Sequence, residues 1–296
     1  MSRIIFVVLV FVVANLFSTR FQACCLGDEL DLAAIARMHQ KEAEAYRIYQ
    51  DSSRNQPLEL QADPIFKWQN LTNQGGQLGA IYVWSQQGRP EVIGTIFSQP
   101  QEGRRNVIHE FHTLAVKELT VDSPEDCVRQ WKPKGVFSLQ PLIAAPPVAE
   151  SALRRNTQMR NLSKEFKAFT QKGTERVELR LAPQPVIRYQ PNTPDVLDGA
   201  IFAYLSSAAG TDPEVMVMIE ARKVAATDQN WSWHMGIIRF TERDLVVSRH
   251  DSDVFSSISN EKLRVKIEDS YRWIHNSDDT YCVFQAKFVP ELTKSP

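Results

Sequence analysis

Runs of alternating apolar and polar residues, separated by short polar turns, occupy most of the chain, and such alternation predicts strands buried on one side. Two of these runs share a phrase: "GAIYVWSQQGRPEVIGTIF" begins at Gly79 and "GAIFAYLSSAAGTDPEVMVMIE" at Gly199. Each reads as a strand opening on Gly-Ala-Ile, a turn, and a second strand opening on Pro-Glu-Val. Glycine suits close backbone approach, and proline is tolerated at the first residue of a strand. The likeness extends outward. "LELQADPIFKW" (Leu58 to Trp68) precedes the first phrase and "VELRLAPQPVIRY" (Val177 to Tyr189) the second. Further upstream, Leu32, Ile35, Met38, Ala45 and Ile48 of "DELDLAAIARMHQKEAEAYRIYQ" recur at helical spacing, as do Leu153, Met159, Leu162, Phe166 and Phe169 of "AESALRRNTQMRNLSKEFKAFTQ". Glu42 interrupts the first stripe where an apolar residue is due. Downstream, "NVIHEFHTLAV" and "NWSWHMGIIRF" each add a strand.

This pattern predicts an α+β fold, a tandem duplication of a helix plus antiparallel β-meander unit. Short turns favour antiparallel neighbours, because parallel pairing needs crossovers of about a dozen residues or more. A helix on one face of such a sheet makes a two-layer unit. The first unit covers residues 28–138, the proline- and alanine-rich "LQPLIAAPPVAE" (139–150) is a linker, and the second unit covers 151–296. Strands in "DLVVSRHDSD", "LRVKIEDSYRWI" and "YCVFQAKFVP" are expected to finish the second unit.

Composition places the chain among globular proteins: 296 residues, 43% hydrophobic and 23% charged. The formal net charge of -1 gives no general attraction for phosphate backbones, so no nucleic-acid partner is expected. The start, "MSRIIFVVLVFVVANLF", sets one arginine before an apolar stretch from Ile4 to Phe17. That stretch is shorter than the ~20 residues of a membrane-spanning helix and fits a signal-peptide core, so residues 1–23 read as a signal peptide. The mature protein is expected to be extracytoplasmic, periplasmic or secreted, with no membrane span. Such a compartment permits disulfides among Cys24, Cys25, Cys127 and Cys282. A Cys127–Cys282 bond and two buried free thiols both fit. The absence of C-x-x-C leaves no redox centre and no cysteine zinc site.

A function particular to one unit belongs where the units differ. In "VIHEFHTL" Glu110 and His112 share a strand face and are the candidate catalytic pair. They make two metal ligands where zinc needs at least three, so no metal and no cofactor is expected. The second unit instead carries charged strand residues: Glu178, Arg180, Arg188, Glu220, Arg222 and Arg239. By parity they project from one sheet face as a Glu/Arg ladder, or as a groove whose arginine forks grip carboxylate, sulfate or sugar hydroxyls. Trp231 and Trp233 share a face and are read as core or as a stacking platform.

At "ELRL", "IRY", "DGAIFAY", "GTDPEV" and "IEARK" the chain resembles a group of exported proteins of unknown function from planctomycete-type bacteria. The resemblance implies a secreted bacterial protein and no particular activity. The expected function is a non-catalytic exported module that binds a small molecule, a glycan or an envelope protein. The alternative is an extracytoplasmic hydrolase or lyase using the Glu/His pair or the Glu/Arg cluster.

Overall fold

The computed structural model describes residues 30–70, 76–127, 130–172, 175–206, 210–223, 230–257, 264–267, 271–275 and 280–293. The signal-peptide reading, Cys24 and Cys25 lie outside them. The first half runs α1 (Leu32–Glu44), β1 (Arg47–Tyr49), β2 (Glu59–Leu60), β3 (Phe66–Asn70), β4 (Gln77–Gln86), β5 (Arg89–Gln101), β6 (Arg104–Thr113) and β7 (Thr120–Asp122). After β8 (Gln140–Pro141) come α2 (Ala152–Ser163), β9 (Phe166–Lys172), β10 (Glu175–Glu178), β11 (Arg180–Leu181), β12 (Ile187–Tyr189), β13 (Val196–Leu205) and β14 (Pro213–Arg222). The chain continues through β15 (Ser232–Arg239), β16 (Asp244–Arg249), β17 (Ser252–Ser257), β18 (Arg264–Ile267), β19 (Tyr271–His275) and β20 (Tyr281–Pro290).

Every strand pairing is antiparallel among the described residues. The fold is therefore predominantly β, with helices of 13 and 12 residues, rather than the balanced α+β that two helical stripes predict. The stripes overreach because Ile48, Phe166 and Phe169 continue a helical spacing yet lie in β1 and β9, where alternation buries Ile48 and Phe166 and leaves Phe169 half-buried on the other side. Each helix starts on a side chain that accepts from an otherwise unpaired backbone N–H: Asp31 from Ala34 at 2.8 Å, and Ser151 from Arg154 at 3.4 Å.

The two phrases form the central hairpins β4–β5 and β13–β14. β2 and β3 pair with β4, and β6 with β5; β11 and β12 pair with β13, and β15 with β14. Trp68 lies opposite Gly79, and Tyr189 opposite Gly199. A register shift falls between Trp84 and Ser85 on β4 and between Tyr204 and Leu205 on β13, so Pro90 faces Ser85 and Pro213 faces Leu205. The first sheet then gains the C-terminal strand: β20 pairs with β6, where the sequence pattern expects it to complete the second unit. β6 offers β20 a long free edge, whereas β15 is bordered by β8 from the segment read as linker.

One face of each sheet packs on its helix. Ala43 and Tyr46 join Ala80, Trp84, Ile96 and Phe111 in one core, and Met159 and Leu162 join Phe202, Val217 and Met235 in another. The opposite faces meet each other, with Ile81, Val83 and Ile93 against Ile201, Met216, Met218 and Ile238. The layers run helix, sheet, sheet, helix. No helix among the described residues is long and apolar enough to cross a membrane.

Candidate functional site

The predicted ladder divides between faces. Glu220 and Arg222 follow Met218 on the side of β14 that meets the other sheet, and Glu220 is fully buried there. Arg89 of β5 donates to Glu220 Oε1 at 2.9 Å, Tyr189 to the same oxygen at 2.8 Å, and Arg222 to Oε2 at 3.4 Å. Glu91 lies 3.1 Å from Arg89, and Asp195 3.2 Å from Arg222. Arg188 lies on the helix-bearing face, where Asp198 accepts from it at 2.7 Å and from Arg155 of α2 at 2.8 Å. Arg239 is buried on the carbonyls of Thr241 and Arg243 and the Ser257 hydroxyl. Glu178 and Arg180 are exposed and border a surface groove of about 480 Å³ with Lys164 and Lys167. Parity fixes sides within one strand only. Between strands the register decides, and β13 shifts register twice. Most of these charges are thus satisfied within the protein.

Glu110 and His112 share a face as expected, but both are buried. The Tyr281 hydroxyl of β20 donates to Glu110, and His112 Nδ1 is 2.8 Å from the Thr113 carbonyl. Burial pushes the Glu110 carboxyl up to about 8; Tyr281 opposes this, while Glu242 and Glu214 add to it. Among the described residues, Glu110 and His112 line neither the groove of about 480 Å³ nor the cavity of about 650 Å³ beside α1. Cys127 and Cys282 are free thiols. Trp233 is core, and Lys223 stacks over Trp231 at 4.8 Å.

Two features escape sequence reasoning. The first is a cavity of about 650 Å³ between α1 and the sheet. Ile35, Ala36, Leu78, Ala80 and Tyr82 make its apolar wall, His39 lies within it, and Arg37, Gln40, Glu44 and Lys67 supply polar groups. His39 is held by Ser98 Oγ at 2.9 Å. Burial drives its imidazole down to about 3, with Arg105 and His109 adding to the effect, so it is neutral.

The second is a buried polar cluster on the same side of the sheet. Glu42, the residue that breaks the apolar stripe of α1, points inward. Its Oε1 is 2.8 Å from Lys287 Nζ of β20, which also pairs with Asp126. Its Oε2 is 3.5 Å from His109 Nε2, beyond ordinary hydrogen-bond reach, and neither atom has another partner among the described residues. His109 Nδ1 lies 2.8 Å from the Tyr46 hydroxyl and 3.8 Å from Cys127 Sγ. Burial lowers His109 and pushes the Cys127 thiol up to about 11. Burial also pushes Glu42 up, but His109 and Lys287 outweigh it and hold the carboxylate ionised.

The second half is apolar at these places. Leu162 stands eleven residues past its N-cap, as Glu42 does; Met159 and His39 stand eight past, and Phe166 and Tyr46 fifteen. Met235 pairs with Ile219 where His109 pairs with Ile96. That contrast is legible in the sequence once the two halves are aligned. Among known proteins, no family model, no curated protein and no solved structure matches the chain.

Proposed function

We propose that the protein is an exported, non-catalytic module that binds a small amphipathic molecule in the cavity under α1. The observation that carries this reading is the cavity itself. Its volume of about 650 Å³ falls in the range of small-molecule sites, and it joins an apolar wall to a few polar groups. A ligand with an apolar body and one polar end suits that lining. A hydrolase or lyase working through Glu110 and His112 draws no support, because both are buried away from the cavity. We also infer that the chain is two copies of one unit, a reading supported by the matching strand registers and equal spacings from the two N-caps.

The cavity reading is tested with Ala36→Trp. Ala36 is exposed on α1 and lines the opening, so an indole there fills the site at little cost to the core. An amphipathic fluorescent probe such as anilinonaphthalene sulfonate should bind the parent protein and lose affinity about tenfold or more in the variant, at unchanged melting temperature. Equal probe binding by both proteins removes the proposal.

A further inference from the structure

We propose that Glu42, His109 and Cys127 form a zinc-type metal site in the first half. Their donor atoms gather within 4.8 Å of one another in a buried setting. One oxygen and one nitrogen of these groups are poised for an ion. Glu42 Oε2 and His109 Nε2 are buried, without hydrogen-bond partners among the described residues, and 3.5 Å apart. Tetrahedral zinc with nitrogen and oxygen bonds near 2.0–2.1 Å holds its ligand atoms roughly 3.3–3.5 Å apart, so the separation fits. The other atom of each group is anchored. Lys287 holds Glu42 Oε1 at 2.8 Å, and the Tyr46 oxygen stands 2.8 Å from His109 Nδ1. A ligating imidazole that donates its second N–H to an oxygen is the usual outer shell of a metal site, and it fixes ring orientation.

Cys127, only partly buried, supplies the third donor, its Sγ 3.8 Å from Nδ1 of the His109 imidazole. A carboxylate, an imidazole and a thiolate together suit zinc rather than calcium or magnesium, which take oxygen ligands. The charges balance. Glu42 and a Cys127 thiolate neutralise a divalent ion, while Lys287 and Asp126 neutralise each other. On uptake the thiol proton leaves to solvent, and the imidazole proton moves to Nδ1, where it is donated to Tyr46. The second-half positions that match Glu42, His109 and Tyr46, namely Leu162, Met235 and Phe166, could form nothing of the kind and simply pack.

The test is titration of the reduced, purified protein with Co²⁺ and Zn²⁺. The expected result is about one equivalent of Co²⁺ bound with four-coordinate absorption and a thiolate-to-cobalt charge-transfer band, displaced by Zn²⁺. Cys127→Ser should abolish that band. Tyr46→Phe should weaken uptake by about 10–100-fold, as loss of an outer-shell partner does. The double variant Glu42→Leu/His109→Met, which installs the second half's residues, should bind nothing while keeping its circular dichroism. Absence of stoichiometric uptake by the folded parent, or uptake unchanged across these variants, overturns the site. Ala36→Trp should leave metal uptake intact, separating this site from the cavity.

Discussion

Glu110 and His39 are both taken out of water, and burial moves them in opposite directions because it always disfavours the charged form. Glu110 rises from its ordinary 4.5 to about 8, and His39 falls from 6.5 to about 3. For Glu110 the folded state holds a proton that the unfolded chain has released between those values. Its stabilising contribution is full below pH 4.5 and is lost as pH rises to about 8. For His39 the unfolded chain binds the extra proton, so stability is lost as pH falls from 6.5 toward 3. Glu110→Gln keeps an amide for Tyr281 and removes the titration. Its melting temperature, relative to the parent, should climb steadily from pH 4.5 to 8 and then level off. A constant difference over that range would mean that Glu110 is ionised in the folded protein.

The strands β3 and β12 each lay an aromatic ring over a glycine of the next strand. A Cβ at Gly79 would run into the Trp68 indole, and one at Gly199 into the Tyr189 ring. Each ring is fixed by a polar tip, Trp68 on Thr95 at 2.9 Å and Tyr189 on Glu220 at 2.8 Å. Gly199→Ala should therefore displace Tyr189, weaken its bond to Glu220 and cost about 1–3 kcal/mol in urea unfolding, as overpacking typically does. Gly79→Ala should show the parallel effect through Trp68 fluorescence. Both glycines and both prolines are legible in the repeated phrase, because strand starts and hairpin exits are written in local residues. So are the meander and the two helices. The partner of β20 is not, since "YCVFQAKFVP" alternates equally well against either sheet edge. The buried cluster is half legible. Glu42 stands out as a misfit in an apolar stripe, but its partners His109, Cys127 and Lys287 come from distant strands and loops that only the folded chain brings together. The Glu/Arg ladder misleads for the opposite reason, because parity counted along separate strands ignores how those strands are offset.

Across the whole molecule, the turn of each central hairpin bonds to the backbone of the other half. The β4–β5 turn accepts from the backbone after β12, Asn192 N to Gln87 O at 2.8 Å, and the β13–β14 turn donates to the end of β3, Thr211 N to Gln69 O at 3.0 Å. Between them, Arg89 of one sheet reaches Glu220 of the other with both side chains almost wholly buried. Removing one member of such a pair strands the other, at a cost of about 3–5 kcal/mol, whereas apolar replacement of both is often near neutral. Arg89→Met should fall toward the lower end, since Arg222 and Tyr189 still hold Glu220 while Glu91 loses its arginine. The double variant Arg89→Met/Glu220→Leu should recover much of that loss. The exposed pair Arg54–Asp122, at 53% and 45% side-chain exposure, serves as the control. Arg54→Ala should cost no more than about 1 kcal/mol. Chemical unfolding of the three variants decides the matter. If Arg89→Met and Arg54→Ala cost the same, or the double variant is worse than the single by the full cost of a second lost charge, the buried pair does not couple the two halves.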